Sequence, residues 1–339
     1  MKRFLALVIS VVCLALAFTF TACSNGEVGE NGSVSVKYYQ SGGDMLPLLK
    51  QGQLSIGLLP EPAATQLTKI SSDKTWYRLD VQELYDGEAK AYPQAVMLVK
   101  ESLLASNPDI VGAISSAFSS NISWVKNNPA QAVSAVNGAL AEGVTASLNP
   151  SNITTEVVDN CKIFWQSADS AKQEVKDYID RIIDVEEMAG VAPTDDMFYD
   201  GTAQGAFSSD TVKVVAPDGA PALAIAKFIN DGENFGTNKT FNYTVVSSDK
   251  IGGAVSKGTG DIVIIPVNAA SKLYKANANN KYKLVSVVTH GNLYIMSTEK
   301  INSFKDLKDK TIGVIGQGLV PDLTFKAVLK KNSMSVKIA

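Results

Sequence analysis

From residue 33 onward, short and continuously apolar runs alternate with stretches of helical spacing, the signature of strands and helices in succession. Residues 56–59 and 262–265 are apolar throughout, as strands buried on both faces are. A proline that cannot donate to a sheet ladder stops each run. Laid side by side without gaps, residues 52–65 (GQLSIGLLPEPAAT) and 258–271 (GTGDIVIIPVNAAS) are identical at five of fourteen positions. Both predict strand, turn, helix, with Pro62 at the first helical position and Asn268 as a cap. Two related lobes would produce this match, and so would two independent solutions of one buried unit. The same order recurs at 34–43, 212–221 and 311–318, where an apolar run passes through Gly or Pro into a helical pattern. The class predicted is α/β with mostly parallel strands.

Between 107 and 190 the spacing predicts successive helices, with apolar residues at Ile110, Ile114 and Phe118, then Trp124 and Val125, then Val175, Tyr178, Ile179 and Ile182. Residues 200–210 read as a linker, after which the strand-helix order starts afresh. Residues 333–339 read as a strand, and more chain is expected after them.

The first 23 residues stand apart. Lys2 and Arg3 precede an apolar run from 4 to 20, and Thr21, Ala22 and Cys23 follow, as in a secretory signal with a small residue before the cleavage point. The tetrad Phe20, Thr21, Ala22, Cys23 resembles a bacterial lipobox, in which Cys23 becomes the lipidated first residue; an uncleaved anchor is the other reading. Residues 24–32 are polar and glycine-rich, suited to a tether. An extracytoplasmic domain held to the bacterial cell membrane is expected.

Composition narrows the chemistry. The chain has 339 residues, 45% hydrophobic and 19% charged, which excludes a disordered or multi-span membrane protein. Its net charge of -3 offers no basic stripe to replace phosphate counterions, so no nucleic-acid partner is expected. Cys13 and Cys23 lie in the leader, leaving Cys161 without an internal disulfide partner. With one histidine in the chain, a His-rich zinc site is excluded; no metal and no cofactor are expected. No Gly-x-Ser-x-Gly elbow occurs, and residues 313–318 lack the Lys-Ser or Lys-Thr pair of a phosphate loop. No catalytic residue is assigned.

Five runs carry a family resemblance: 58–64 (LLPEPAA), 216–223 (APDGAPAL), 260–266 (GDIVIIP), 290–294 (HGNLY), and 301–307 (INSFKDL) leading to Gly313 and Gly316. Together they resemble the lipid-anchored substrate-binding component of an ABC importer, in the group serving nitrate, sulfonates, taurine and thiamine-precursor pyrimidines. The resemblance covers nearly all of 34–339, but in exchanged order: the strand like 212–216 usually comes first and the helices like 107–190 last. The chain looks circularly permuted, or its gene rearranged. In the family a short loop would join the segment like 335–339 to the segment like 32–38. Related eukaryotic pyrimidine synthases carry a Cys-rich motif that is absent here.

The resemblance implies a two-lobe periplasmic-binding-protein-like fold of type II, with ligand held in the cleft between lobes. Residues 1–22 would be signal peptide and 23–33 a lipid-anchored linker. Residues 34–92 and 298–339 would form lobe 2, and 211–297 lobe 1. Residues 93–199 would supply a crossing segment and helices packed mainly on lobe 1, with 200–210 joining the old ends. The crossings would be 92–100 and 289–297.

Ligands of open parallel sheets sit beyond the strand C-termini, at helix N-termini. One lobe would therefore contribute Asp218, Gly219, Ala220, Asn268, Thr289, His290 and Gly291. The other would contribute Gly42, Gly43, Asp44, Glu61, Gln317 and Gly318. Small residues there admit an oxyanion to the backbone. Asp44, Glu61, Asp218 and Asp322 would repel a simple anion; they read either as helix caps or as partners for an amine or amidine on the ligand. His290 reads equally as a cleft donor or a wall residue. Tyr38, Tyr39, Tyr92 and Tyr294 are placed to stack on a ring, whereas Trp124, Phe164 and Trp165 read as packing on helices.

The implied function is capture of a small organic anion, zwitterion or pyrimidine by lobe closure. Delivery would be to a permease with a cytoplasmic ATPase, and the binding protein would be a monomer. A ligand-sensing module for a membrane receptor and a cleft enzyme are the alternatives.

Overall fold

The computed structural model describes residues 30–39, 42–82 and 92–339. The leader, Cys23 and most of the tether lie outside the described residues.

In chain order the first elements are β1 (Ser33–Tyr39), α1 (Gly42–Gln51), β2 (Ile56–Pro60), α2 (Ala63–Ile70), β3 (Tyr77–Asp80) and β4 (Pro93–Lys100). A helical stretch follows: α3 (Glu101–Ser106), α4 (Ile110–Asn127), α5 (Pro129–Gly138) and α6 (Thr155–Asn160), then β5 (Ile163–Ser167) and α7 (Ala168–Val185). After a passage with neither helix nor strand at 199–210 come β6 (Thr211–Pro217), α8 (Ala220–Leu223), α9 (Ala226–Asp231), β7 (Thr240–Val246), α10 (Ile251–Ser256), β8 (Ile262–Pro266) and α11 (Val267–Leu273). The chain closes with β9 (Tyr282–His290), β10 (Leu293–Ser297), β11 (Thr311–Ile315), α12 (Val320–Lys331) and β12 (Ser335–Ile338).

The strands form two six-stranded sheets in a mixed α/β architecture, ordered β12-β1-β11-β2-β10-β3 and β5-β9-β4-β8-β6-β7. In the first sheet β12, β1, β11 and β2 are parallel, and β10 is antiparallel to both β2 and β3. In the second β7, β6 and β8 are parallel, and β4, β9 and β5 join with alternating direction. The sheets are therefore mixed rather than mostly parallel. The passages from one sheet to the other account for this, since a strand entering from the neighbouring sheet arrives from the opposite end.

The apolar runs behave as strands buried on both faces. Leu58 and Leu59 of β2, and Val263, Ile264 and Ile265 of β8, are fully buried. In α7 the buried positions are Ala168, Ala171, Val175, Tyr178, Ile179 and Ile182, a stripe at helical spacing, and Ser167 caps the helix by accepting from the Ser170 N–H. One hydrophobic cluster runs through both sheets, joining Val34, Val36, Leu58 and Val314 to Val96, Val263 and Ile265 under α7, α10, α11 and α12. The opposite faces are covered separately, the second sheet by α3 to α6, α8 and α9, the first by α1 and α2. Each face is thus desolvated by its own helical layer, the usual condition for such a sheet.

Several expectations are corrected. Residues 163–167 form the edge strand β5 rather than helix, because pairing with β9 gives the segment a ladder. Phe164 consequently points outward at 43% exposure. Pro62 and Pro266 occupy the cap positions of α2 and α11, so Asn268 lies in the first turn and its Nδ2 donates to the Ala189 carbonyl at 3.1 Å. β10 pairs with β2 and β3, so the change of sheet falls at Gly291 and Asn292 rather than after 297. The other passage lies between Asp80 and Pro93, ahead of the expected crossing at 92–100, which is instead strand β4 in the second sheet.

The short loop from Ala339 to Gly32 does not fit either. β12 runs parallel to β1, with the Ser335 N–H on the Gly32 carbonyl and the Ala339 N–H on the Val36 carbonyl. Adjacent parallel strands need a long crossover, not a tight turn.

Candidate functional site

Strand directions place the functional turns. β9 is antiparallel to β4 and β4 to β8, so β9 runs in the direction of β8 and β6 and ends at the same end of the sheet as Pro266 and Pro217. Two residues later β10 begins with Leu293 opposite Pro60, the last residue of β2. Gly291 and Asn292 thus connect the C-terminal strand ends of both sheets, where helix N-termini and loops gather in open α/β folds.

Four of the expected site residues meet at this connector. The Glu61 N–H donates to the Asn292 carbonyl at 3.0 Å, and Asn292 Nδ2 returns a bond to the Glu61 carbonyl at 3.3 Å. The Gly291 N–H donates to the Tyr92 carbonyl at 2.8 Å. A Cβ on Gly291 would stand 2.4 Å from the Tyr92 ring and 2.8 Å from Gln82 Cγ, so only glycine fits this approach. Thr289 and His290 precede it. Asn268 is close in register, since Pro266 and Thr289 both face Ala95 of β4.

Alternate residues of the connector, His290, Asn292 and Tyr294, reach across to other elements. His290 donates its N–H to the Lys162 carbonyl and bonds through Nε2 to Gln166 Oε1 at 2.9 Å. Its ring stacks on Phe164 at 3.5 Å between centroids, 7° from parallel. Burial pushes the imidazole pKa down to about 3, with only the Lys162 contact opposing it. The ring is therefore neutral, and with Gln166 Oε1 as acceptor its proton sits on Nε2, leaving Nδ1 a bare acceptor.

The Tyr294 hydroxyl donates to the Asn160 carbonyl at 3.4 Å, linking the first sheet to α6 beside the second. Burial foremost raises its pKa to about 12. The Arg78 guanidinium lies over its ring at 3.5 Å and pairs with the buried Glu61 carboxylate at 2.7 Å. Thr65 completes the Glu61 shell, with its hydroxyl at 2.8 Å and its N–H at 3.1 Å. Cys161 is fully buried next to Asn160; burial pushes the thiol up, and the Glu61 charge adds to the effect. A further tie is Lys69 Nζ of α2 on the Ser151 carbonyl at 2.9 Å.

The connector also holds buried polar atoms that have no hydrogen-bond partner among the described residues: Gln94 Oε1, Asn268 Oδ1, Thr289 Oγ1, His290 Nδ1 and Asn292 Oδ1. Four of the five are pure acceptors, and Asn268, Thr289, His290 and Asn292 are buried residues. Buried polar groups are ordinarily satisfied, and these five acceptor-bearing groups lie at one sheet end without a partner among the described residues.

The remaining expected residues keep local bonds. Asp218 accepts from the N–H groups of Ser147 at 2.7 Å and Gly219 at 2.8 Å, fixing the turn into Ala220 and α8. Gly318, at φ +73°, donates to Asp322 Oδ2 at 2.8 Å, while Gln317 is exposed. Gly42 and Gly43 open α1, with Asp44 exposed in its first turn. Glu61, Asp218 and Asp322 each accept a nearby backbone N–H, and Glu61 and Asp322 also pair with Arg78 and Lys326.

Sequence reading overlooked Arg78, Gln94 and Gln166. Arg78 sits on a four-residue edge strand with no motif around it. Gln94 and Gln166 acquire meaning only through pairing with β9.

Among the described residues no group of three or more His, Cys, Asp or Glu side chains is placed to hold a metal, and no helix is long and apolar enough to cross a membrane. A surface groove of about 310 Å³ runs between α7 and α12, lined by Arg181, Asp184, Val185, Ala327, Lys330 and Lys331.

No family model and no curated protein matches the chain. Four chains among solved structures do. One is the crystal structure of NikA from Brucella suis in complex with Fe(III)-EDTA, 8% identical, with a TM-score of 0.29 over 79% of this chain and 58% of that one. The chain thus spans somewhat over half the length of that structure, and a likeness this slight carries no argument about function.

Proposed function

We propose that the protein is an extracytoplasmic solute-binding component of an importer, which captures a small polar solute between two lobes and hands it to a membrane permease. Each lobe is one sheet with its helices. The ligand sits against the connector 289–292, and the lobes pivot about the shared core under α7 and α12. The observation carrying this reading is the set of orphaned acceptors where the C-terminal ends of two sheets meet. Anchorage through Cys23 and export rest on the leader's sequence.

The acceptors also select the ligand. Gln94, Asn268, His290 and Asn292 offer lone pairs and no spare proton, so the solute that satisfies them brings N–H or O–H donors. An amine, an amidine or an amino-substituted ring fits; nitrate or sulfate does not. Within the range the sequence raised, this favours a zwitterion such as taurine or an aminopyrimidine. His290 is partnered by a carboxamide rather than a carboxylate, an arrangement that orients a ring but does not make it a base, which favours binding over catalysis.

A thermal-shift series tests this. Taurine or an aminopyrimidine raises the melting temperature and nitrate does not, and Asn292→Ala abolishes the rise. Equal shifts with nitrate, or an undiminished shift in Asn292→Ala, would contradict it.

A further inference from the structure

The two strands at the edge of the first sheet are close copies of one another. Ser33, Val34, Ser35, Val36, Lys37 and Tyr38 align without gaps on Ser333, Met334, Ser335, Val336, Lys337 and Ile338, with four of six positions identical. Both place apolar side chains at the same alternate positions, and Val34, Val36, Tyr38, Met334 and Val336 all join one hydrophobic cluster. Their situations differ. Val34 and Val36 are fully buried beside β11, whereas β12 lies outside β1 with Ile338 at 74% exposure.

The topology sharpens the contrast. A strand that follows its parallel predecessor through one helix usually lies beside it, yet β11, α12 and β12 are such a unit and β1 stands between the two strands. The slot next to β11 therefore has two claimants with the same pattern of inward and outward residues. We propose that β12 is a spare copy of β1 that exchanges with it against β11 within one chain, giving the first sheet two alternative edge arrangements.

The exchange reaches the functional end of the sheet. In the present arrangement the Tyr38 hydroxyl donates to Asp322 Oδ1 at 2.9 Å, and the other oxygen of Asp322 holds the Gly318 N–H. With β12 in the slot, Ile338 replaces Tyr38 and that bond is lost, loosening the turn between β11 and α12. The present arrangement is favoured because it keeps this bond and buries both Val34 and Val36.

Paired cysteines distinguish the arrangements. Ser35 and Thr311 are register partners. Ser335 stands two strands from β11, about 10 Å away by sheet spacing, beyond disulfide reach. In the full chain carrying Cys13→Ser and Cys23→Ser, mild oxidation should link Ser35→Cys to Thr311→Cys readily, and Ser335→Cys to Thr311→Cys more slowly, both within single chains. Val336→Asp should reduce the second yield at least tenfold and leave the first unchanged. Failure of the second link to form, its formation only as a covalent dimer, or an equal loss of both links in Val336→Asp would each overturn the exchange.

Discussion

At the scale of single residues, the site rests on side chains whose burial leaves them little choice. Glu61 is buried and paired with Arg78, which keeps 29% side-chain exposure. Removing one partner of a buried pair strands the other charge. Arg78→Ala should therefore cost about 3 kcal/mol in urea unfolding, and the double variant Arg78→Met, Glu61→Gln should recover much of it. Gly291→Ala forces a Cβ against the Tyr92 ring, an overpacking expected to cost about 1–3 kcal/mol in the same assay. His290 gives a pH signature. Its folded pKa, about 3, lies below the unfolded value, so below pH 6.5 the unfolded chain takes up a proton the folded chain refuses. Stability should fall progressively from pH 6.5 toward 3, and His290→Gln should remove that part of the slope in melting temperatures measured across the range. The sequence exposed His290, Gly291 and Glu61 through the motifs around them. Arg78 was hidden because its importance comes from a ring in a strand more than two hundred residues away.

At the scale of elements, the runs most legible in the sequence were those with the strongest local signal. β2 and β8 are apolar throughout and closed by proline, and α4 and α7 repeat at helical spacing, so the local pattern identifies them. β5 was not legible: Ile163 to Ser167 has no alternation, and it extends because β9 offers an edge. The parallel placement of β12 was likewise unreadable, since a strand's neighbour is chosen by competition across the sheet and not by its own residues. The same competition sets the cost of mutation at this edge. Val36→Ala should cost about 2 kcal/mol, since it empties buried volume, whereas Val336→Ala on the half-exposed outer strand should cost under about 1 kcal/mol; chemical denaturation of the two variants checks the ratio.

At the scale of the whole molecule, two sheets share one core on the side of α7 and α12 and keep separate helical layers on the other. The Tyr178 and Thr324 hydroxyls, 2.9 Å apart, tie α7 to α12 on the shared side. On the opposite side His290 and Tyr294 meet residues 160–166. The central claim is that a donor-bearing solute completes the orphaned acceptors of the connector, and the chain offers a direct probe because His290 is its one histidine. Ring-nitrogen NMR of protein labelled in histidine reports a single Nδ1 and a single Nε2. Titration with taurine or an aminopyrimidine should move Nδ1 saturably while Nε2, held by Gln166, stays in place. A solute that raises the melting temperature yet leaves Nδ1 unmoved at saturation would contradict the account.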